Sequence, residues 1–198
     1  MARKRLAKPR SSATLRRLLA IHFQETPLRW NEADIDARLA AMAEQVASGY
    51  GDASPALVGI QSGGAWVARA LNGKLARPTP LGSLNASFYR DDFDTRGLKR
   101  AVQPSDLPFD VDGAHILLVD DVLMTGRTIR AAMNELFDYG RPASIRLAVL
   151  FDIGHRQLPI RPDICGETLA LPPHQRVELR GPAPLVAEVI EIPVKADE

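Results

Sequence analysis

At 198 residues, 45% of them apolar and 25% charged, the chain has the size and composition of one globular domain able to bury a sizeable core. No apolar run approaches the ~20 residues of a membrane span, and no secretory-signal core follows the N-terminus. The single cysteine, Cys165, excludes a disulfide framework and a cysteine-based zinc site, and it fits a reducing cytoplasm. It lies in DICGE with no histidine close in sequence, so it reads as a small buried apolar residue rather than a nucleophile.

The net charge of +1 hides an asymmetry: residues 1–30 hold eight Lys/Arg and one acid, and the rest of the chain holds seventeen Lys/Arg and twenty-three acids. The basic segment 1–30 reads as an arm for nucleic acid, a disordered tail or an upstream extension of the reading frame. Within it only TLRRLLAIHF has the look of a packed element. The domain proper is expected over 31–198.

In NEADIDARLAAMAEQVASG the apolar residues Ile35, Leu39, Met42 and Val46 recur at helical spacing. Asn31 is placed to cap this helix with Asp34 reaching back, and Gly49 suits its end. ALVGI (56–60) is a short buried strand, followed by Gln61, Ser62, Gly63 and Gly64 and the helical AWVARALNGKL. The Ser-Gly-Gly turn reads either as a backbone nest for an anion or as a plain tight turn. LGSLNASFY (81–89) reads as a strand. The polar stretch FDTRGLKRAVQPSDLPFDVDG after it reads as a mobile cover carrying Arg96, Lys99 and Arg100, or else as a solvated surface hairpin.

The stretch HILLVDDVLMTGRT (115–128) carries most of the chemistry. Its apolar run without alternation predicts a strand buried on both faces, as in a parallel sheet covered by helices. Asp120 and Asp121 then fall at the strand's carboxyl end, where open α/β sheets place ligands. Thr125, Gly126, Arg127 and Thr128 open the next helix, IRAAMNELFDYG, whose free amides and dipole attract a phosphate. A carboxylate pair beside an anion cradle suits a phosphorylated sugar or a metal ion. The bland alternative is a buried strand ending in a capping Asp. SIRLAVLF (144–151) is a further buried strand running into Asp152, Ile153, Gly154, His155 and Arg156. Val177–Leu179 and Val186–Ile192 are strand-like pieces of a small closing subdomain. There is no GxxxxGK[ST] and no GxGxxG, which disfavours the ordinary nucleotide-triphosphate and dinucleotide loops.

HILLVDDVLMTGRT closely resembles the phosphoribosyl-diphosphate (PRPP) signature of type I phosphoribosyltransferases. With GIQSGGAWVA, SFYRDDF, YGRPASIRLAVL and GHRQLPIRPDICG in the same order, the chain resembles PyrR-type pyrimidine operon regulators that are also uracil phosphoribosyltransferases, over roughly 31–180. The resemblance implies an α/β type I phosphoribosyltransferase fold: a central parallel sheet flanked by helices, with a small hood subdomain and a flexible hairpin lid. It implies the reaction of uracil with PRPP to give UMP and diphosphate, with Mg²⁺ as cofactor, held through PRPP with Asp120 or Asp121.

By the same resemblance Asp120 and Asp121 would hold the ribose hydroxyls, and Val122, Leu123, Met124, Thr125, Gly126, Arg127 and Thr128 would form the ribose-phosphate segment. Ser62, Gly63 and Gly64 would be the diphosphate loop, with Arg90 and Asp91 approaching from the lid and Arg90 grouped with the catalytic acids. Phe151, Asp152, Ile153 and Gly154 would line the base, and His155, Arg156 and Arg161 would be candidate RNA contacts. UMP or UTP as ligands and a homodimer or larger assembly follow from the same likeness.

Three departures stand out. The family reads Thr-Arg-Gly where this chain has Ser62, Gly63 and Gly64, so an arginine is missing that Arg69 or a lid residue would have to replace. The first helix offers only Arg38 among acids, where the family carries Arg, Thr and His toward RNA. Glu167 falls where a lysine is expected. Besides the enzyme, two readings therefore stay open: a uridine-nucleotide-responsive RNA-binding attenuator, and a nucleotide sensor with weak or no catalysis.

Overall fold

Asn31 and Asp34 start the first helix as the sequence predicts: Asp34 N–H donates to Asn31 Oδ1 at 3.0 Å, and Asn31 N–H donates to Asp34 Oδ2 at 2.9 Å. In this computed structural model, which describes residues 28–51, 53–85 and 104–192, the capped helix α1 spans Glu32–Tyr50. Ile35, Leu39, Met42 and Val46 are all buried on its inner face. The helix runs past Gly49 and stops at Gly51, whose φ of 57° is the left-handed conformation that glycine tolerates.

The chain then builds β2 (Ala56–Ile60), α2 (Gly63–Asn72), β3 (Leu81–Leu84), β4 (His115–Leu123), α3 (Arg127–Asp138), β5 (Ser144–Asp152) and β6 (Ile164–Thr168). The five strands form one parallel sheet in the order β3-β2-β4-β5-β6. Both faces are covered, which is why β2 and β4 read as unbroken apolar runs. Leu117 and Val119 of β4 join Leu57, Leu150 and the inner faces of α1 and α2 in one core cluster. Ile116 and Leu118 join Val58, Val149 and Ile129, Ala132 and Leu136 of α3 in the other.

A second, antiparallel sheet caps this body, formed by β1 (Arg29–Trp30), β8 (Val186–Glu191) and β7 (Gln175–Arg180) in that order. The two hood strands near 177 and 186 are as expected, but β1 is not. Arg29 and Trp30 fall in the segment assigned to the basic extension, yet they pair with Glu188 and Ala187. The Trp30 ring lies 4.7 Å from the Phe151 ring in the core below. Trp30 thus belongs to the hood by its backbone and to the main core by its side chain.

Several boundaries differ from the sequence reading for local reasons. β4 continues through Asp120 and Asp121 to Leu123, because Asp120 and Val122 still pair with Val149 and Phe151 of β5. Strand β6 carries no clear signal in the sequence, being short, broken by Gly166 and preceded by prolines. A Cβ on Gly166 would come 2.6 Å from Leu150 O and 3.2 Å from Met42 Sδ, so glycine lets α1 and β5 close on this strand. The outer edge of β6 is covered by Gln45, whose amide donates to Cys165 O at 3.2 Å and accepts from Cys165 N–H at 3.4 Å, in the place of a sixth strand.

The expected cover divides. Residues 86–103 lie outside the described residues, and with them Arg90, Asp91, Arg96, Lys99 and Arg100. From 104 onward the backbone is packed: Asp106 bridges Ser83, and Val111 is buried in the second core with Leu107 and Phe109 against it. Among the described residues no helix is long and apolar enough to cross a membrane.

Candidate functional site

The turns after β2 and β4 meet at the carboxyl end of the sheet. Ser62 precedes α2 without a side-chain cap, and the Gln61–Ser62 peptide is cis. Gly63 and Gly64 face the acid pair directly. A Cβ on Gly63 would overlap the carboxylate of Asp121, and one on Gly64 would come 2.5 Å from Val119 O and 3.0 Å from Asp120 Oδ1. Glycine at both positions is therefore the condition for the turn to lie against the acids. Asp120 is buried, with 4% of its surface exposed, and its Oδ1 accepts the Asp121 N–H at 3.0 Å.

Beyond the acids Val122 and Met124 pack on the first core, whereas Leu123 is buried in the second. Their side chains are structural, and it is the backbone that carries the site onward. Gly126 stands at φ 90° immediately before α3, leaving the first amides of the helix at the surface of the turn. Thr125 Oγ1 accepts the Arg127 N–H at 3.2 Å. Among the described residues the N–H groups of Gly126 and Thr128 donate to no protein group. The helix dipole adds partial positive charge at the same place, so the turn is suited to an anion.

The loop after β5 braces this turn. Thr125 O accepts from Gln157 N–H at 3.0 Å and Leu158 N–H at 3.2 Å. The Arg156 guanidinium donates to Met124 O at 2.7 Å, Ile160 O at 2.8 Å, Gly154 O at 3.0 Å and Leu123 O at 3.3 Å, and pairs with Asp152 Oδ1 at 2.6 Å. Its Nε, Nη1 and Nη2 together serve five acceptors, Nη1 being shared among three carbonyls. Expected as an RNA contact, Arg156 is turned inward and ties the ends of β4 and β5 together.

Behind that brace lies a cavity of about 580 Å³ lined by Asp152 to Arg156, Arg161, Pro162 and Thr168 to Leu171. Asp152, Ile153 and Gly154, the residues expected to line the base, border it. Phe151 does not, being fully buried against Trp30. His155 takes the left-handed conformation (φ 59°), and its Nε2 lies 2.8 Å from Leu171 O. A strained non-glycine residue held by one hydrogen bond fixes the cavity's rim. The far wall, Thr168 to Leu171, was missed with β6, since neither motif nor periodicity marks it.

That wall is anchored by residues the sequence did not single out together. Glu167 Oε2 accepts from Trp30 Nε1–H at 2.9 Å and from Arg38 Nε–H at 2.5 Å. The only cation of the first helix is thus paired, and its neighbours Glu32, Asp36 and Glu44 are exposed. Arg69 sits in the last turn of α2, exposed, about 10 Å along the axis from Ser62. Among the described residues no hydrogen bond or ion pair links its side chain to that turn. No group of three or more His, Cys, Asp or Glu side chains forms a metal cluster among the described residues.

Comparison with known proteins agrees with this geometry. A family model described as "Phosphoribosyl transferase domain" matches residues 31–167. The chain is 50% identical over 162 residues to "Bifunctional protein PyrR" of Pseudomonas syringae pv. tomato, covering 82% of this chain and 95% of that relative. It is 55% identical over 158 residues to the protein of the same description from Pseudomonas aeruginosa PAO1, covering 80% and 93%. Among solved structures, a hypoxanthine-guanine phosphoribosyltransferase from Bacillus anthracis superposes with a TM-score of 0.65 at 16% identity, covering 84% of this chain and 99% of that one. At that identity the likeness speaks for the fold.

Proposed function

The chain belongs to the phosphoribosyltransferase family, among the PyrR proteins, and from that premise we propose that it joins uracil to PRPP, forming UMP and diphosphate. The observation that carries the reading is the meeting of two turns on one acid pair: Gly63 and Gly64 against Asp120 and Asp121, with the open amides of Gly126 and Thr128 a few residues on. A 5-phosphorylated ribose bearing a diphosphate needs those three features together.

In this reading the turn at 125–128 holds the 5′-phosphate, the acids hold the ribose hydroxyls, and the turn at 62–64 faces the diphosphate. The bond from the anomeric carbon to diphosphate breaks as uracil N1 bonds to that carbon, and the N1 proton passes to the departing diphosphate and from there to solvent. Positive charge on the ribose in the transition state is stabilised by the carboxylates beside it. The loop after β5 and the wall from Thr168 to Leu171 position the base and keep water out, and no dedicated base is required. Two adjacent carboxylates at an anion turn also suit Mg²⁺, which takes few protein ligands, so Asp120 or Asp121 would hold it. When bound it neutralises the leaving diphosphate.

The test is uracil consumption dependent on PRPP and Mg²⁺, together with calorimetric titration of PRPP and UMP. Asp121→Asn is expected to lower turnover by about 100-fold or more while leaving the melting temperature unchanged, because the two side chains are nearly isosteric. Absence of nucleotide product from any pyrimidine or purine base overturns the enzymatic reading; UMP binding without turnover would favour the sensor. The RNA alternative keeps only His155 and Arg161 of its expected contacts in the loop after β5, and its test is uridine-nucleotide-dependent binding of leader RNA that weakens steeply with salt. The exposed Phe137 and Tyr139 at the end of α3 support a homodimer, which sedimentation reads directly. A cytoplasmic location fits the chain's lone free cysteine.

A further inference from the structure

We propose that Asp152 reads the imide of the base: its carboxylate Oδ2 accepts the N3–H of a 2,4-dioxopyrimidine and so selects uracil over cytosine. The inference rests on the assignment of the cavity behind β5 to the base. Asp152 is the last residue of β5 and lines that cavity, its side chain 16% exposed. Its two oxygens are unequal. Oδ1 accepts the Gly154 N–H at 3.0 Å and pairs with Arg156 Nη2 at 2.6 Å. Oδ2 receives no hydrogen bond among the described residues.

An ion-paired carboxylate is an acceptor only, so whatever meets Oδ2 has to donate. Uracil offers N3–H on the ring edge away from N1, the atom that bonds to ribose. Cytosine offers a lone pair at N3. Against Oδ2 that places two acceptors face to face and leaves both unpaired, a mismatch costing far more than the difference of one exocyclic group. The position of the acid matters as much as its charge. Arg156 is itself fixed by four carbonyls, so Oδ1 cannot swing away from it to offer the other oxygen.

The same asymmetry sets the behaviour of Asp152→Asn. Gly154 N–H and Arg156 still demand an acceptor, so the asparagine oxygen occupies the Oδ1 place and the amide Nδ2 turns into the cavity as a donor. That donor suits cytosine N3 and opposes uracil N3–H. The experiment is calorimetric titration of UMP, CMP and 3-deaza-UMP, in which a C–H replaces N3–H, into the full-length chain and the Asp152→Asn variant. Wild type is expected to bind UMP about 10- to 100-fold more tightly than either analogue. In the variant the UMP-to-CMP preference falls by at least about 10-fold, and PRPP affinity stays within about twofold.

An unchanged UMP-to-CMP ratio in the variant overturns the proposal, and so does equal binding of UMP and 3-deaza-UMP by the wild type, which needs no variant to fold. Nucleotide binding separates this outcome from failure of the enzymatic reading. Reversed preference without uracil turnover supports the assignment of Asp152 and removes catalysis. Turnover with an unchanged preference does the opposite.

Discussion

Gly63 and Asp121 share one space: a Cβ on the glycine would fall on the carboxylate of the acid. The turn after β2 and the acid pair of β4 are thus fitted to one another, not merely adjacent. Gly63→Ala has to push Asp121 off the turn, since the neighbouring atoms of the acid are its own Cγ and Cβ. A displacement of about 1 Å at a reacting centre costs about 100-fold in rate. The expected outcome is a loss of that order in kcat/KM for PRPP, with stability lowered by about 1–3 kcal/mol because Gly63 is buried and the added methyl overpacks the turn. Steady-state kinetics beside a thermal melt decides it.

Arg156 to Ala removes five acceptors' partner at once. Met124 O and Leu123 O lose the donor that holds the end of β4, and Asp152 loses its counter-charge. The guanidinium is only 22% exposed, so the loss is not made up by solvent. Removing one partner of such a buried, hydrogen-bonded charge costs about 3–5 kcal/mol, discounted here to about 2–4 for partial exposure. Urea denaturation is expected to show it, and PRPP titration a weaker complex, since Met124 precedes the phosphate turn. Lysine at 156 is expected to recover little, because one ammonium cannot reproduce the planar fork.

Much of this was legible in the sequence and part was not. The capped start of α1, the buried runs of β2, β4 and β5, and the glycine turns all rest on local patterns: caps, apolar periodicity, residues that tolerate unusual backbone. Those patterns are written within a few residues of one another. The roles of Trp30, Glu167 and Arg156 are not. Trp30 meets Glu167 across 137 positions, and Arg156 meets Met124 across 32, so no window along the chain contains either pair. Arg156 is a candidate RNA contact in the sequence because sequence gives its charge and not its direction. Phe151 is placed at the base by the resemblance, yet its ring packs against Trp30 in the core, a contact across more than a hundred positions that no local pattern shows.

The Glu167 cluster yields a charge-swap test. Glu167→Lys sets a cation beside Arg38 and leaves the Trp30 indole N–H without its acceptor. Both partners of the ion pair are less than a third exposed, so a destabilisation of about 1–3 kcal/mol is expected. Adding Arg38→Glu restores the opposite charges and recovers part of that loss. Denaturation followed by tryptophan fluorescence measures it. A double variant no more stable than Glu167→Lys alone rules out the ion pair as the source.

Tyr50 gives a pH dependence whose sign can be worked out. The phenol lies at the end of α1 with Arg146 over its ring at 4.8 Å, and its hydroxyl donates to Ile116 O at 3.4 Å. Burial raises its pKa from 10.0 to about 12; Arg146 pulls the other way and Asp163 adds a small push upward. The folded state therefore favours the neutral phenol more than the unfolded chain does. Its contribution is complete below pH 10, declines as the unfolded chain begins to ionise, and is gone by about pH 12. Between those values wild type is expected to lose stability faster than Tyr50→Phe, which has no proton to release. Lysines titrate alike in both proteins and cancel in the difference. Urea midpoints for the two proteins, measured from pH 9 upward, settle the matter: parallel curves mean that burial of the phenol does not hold its proton.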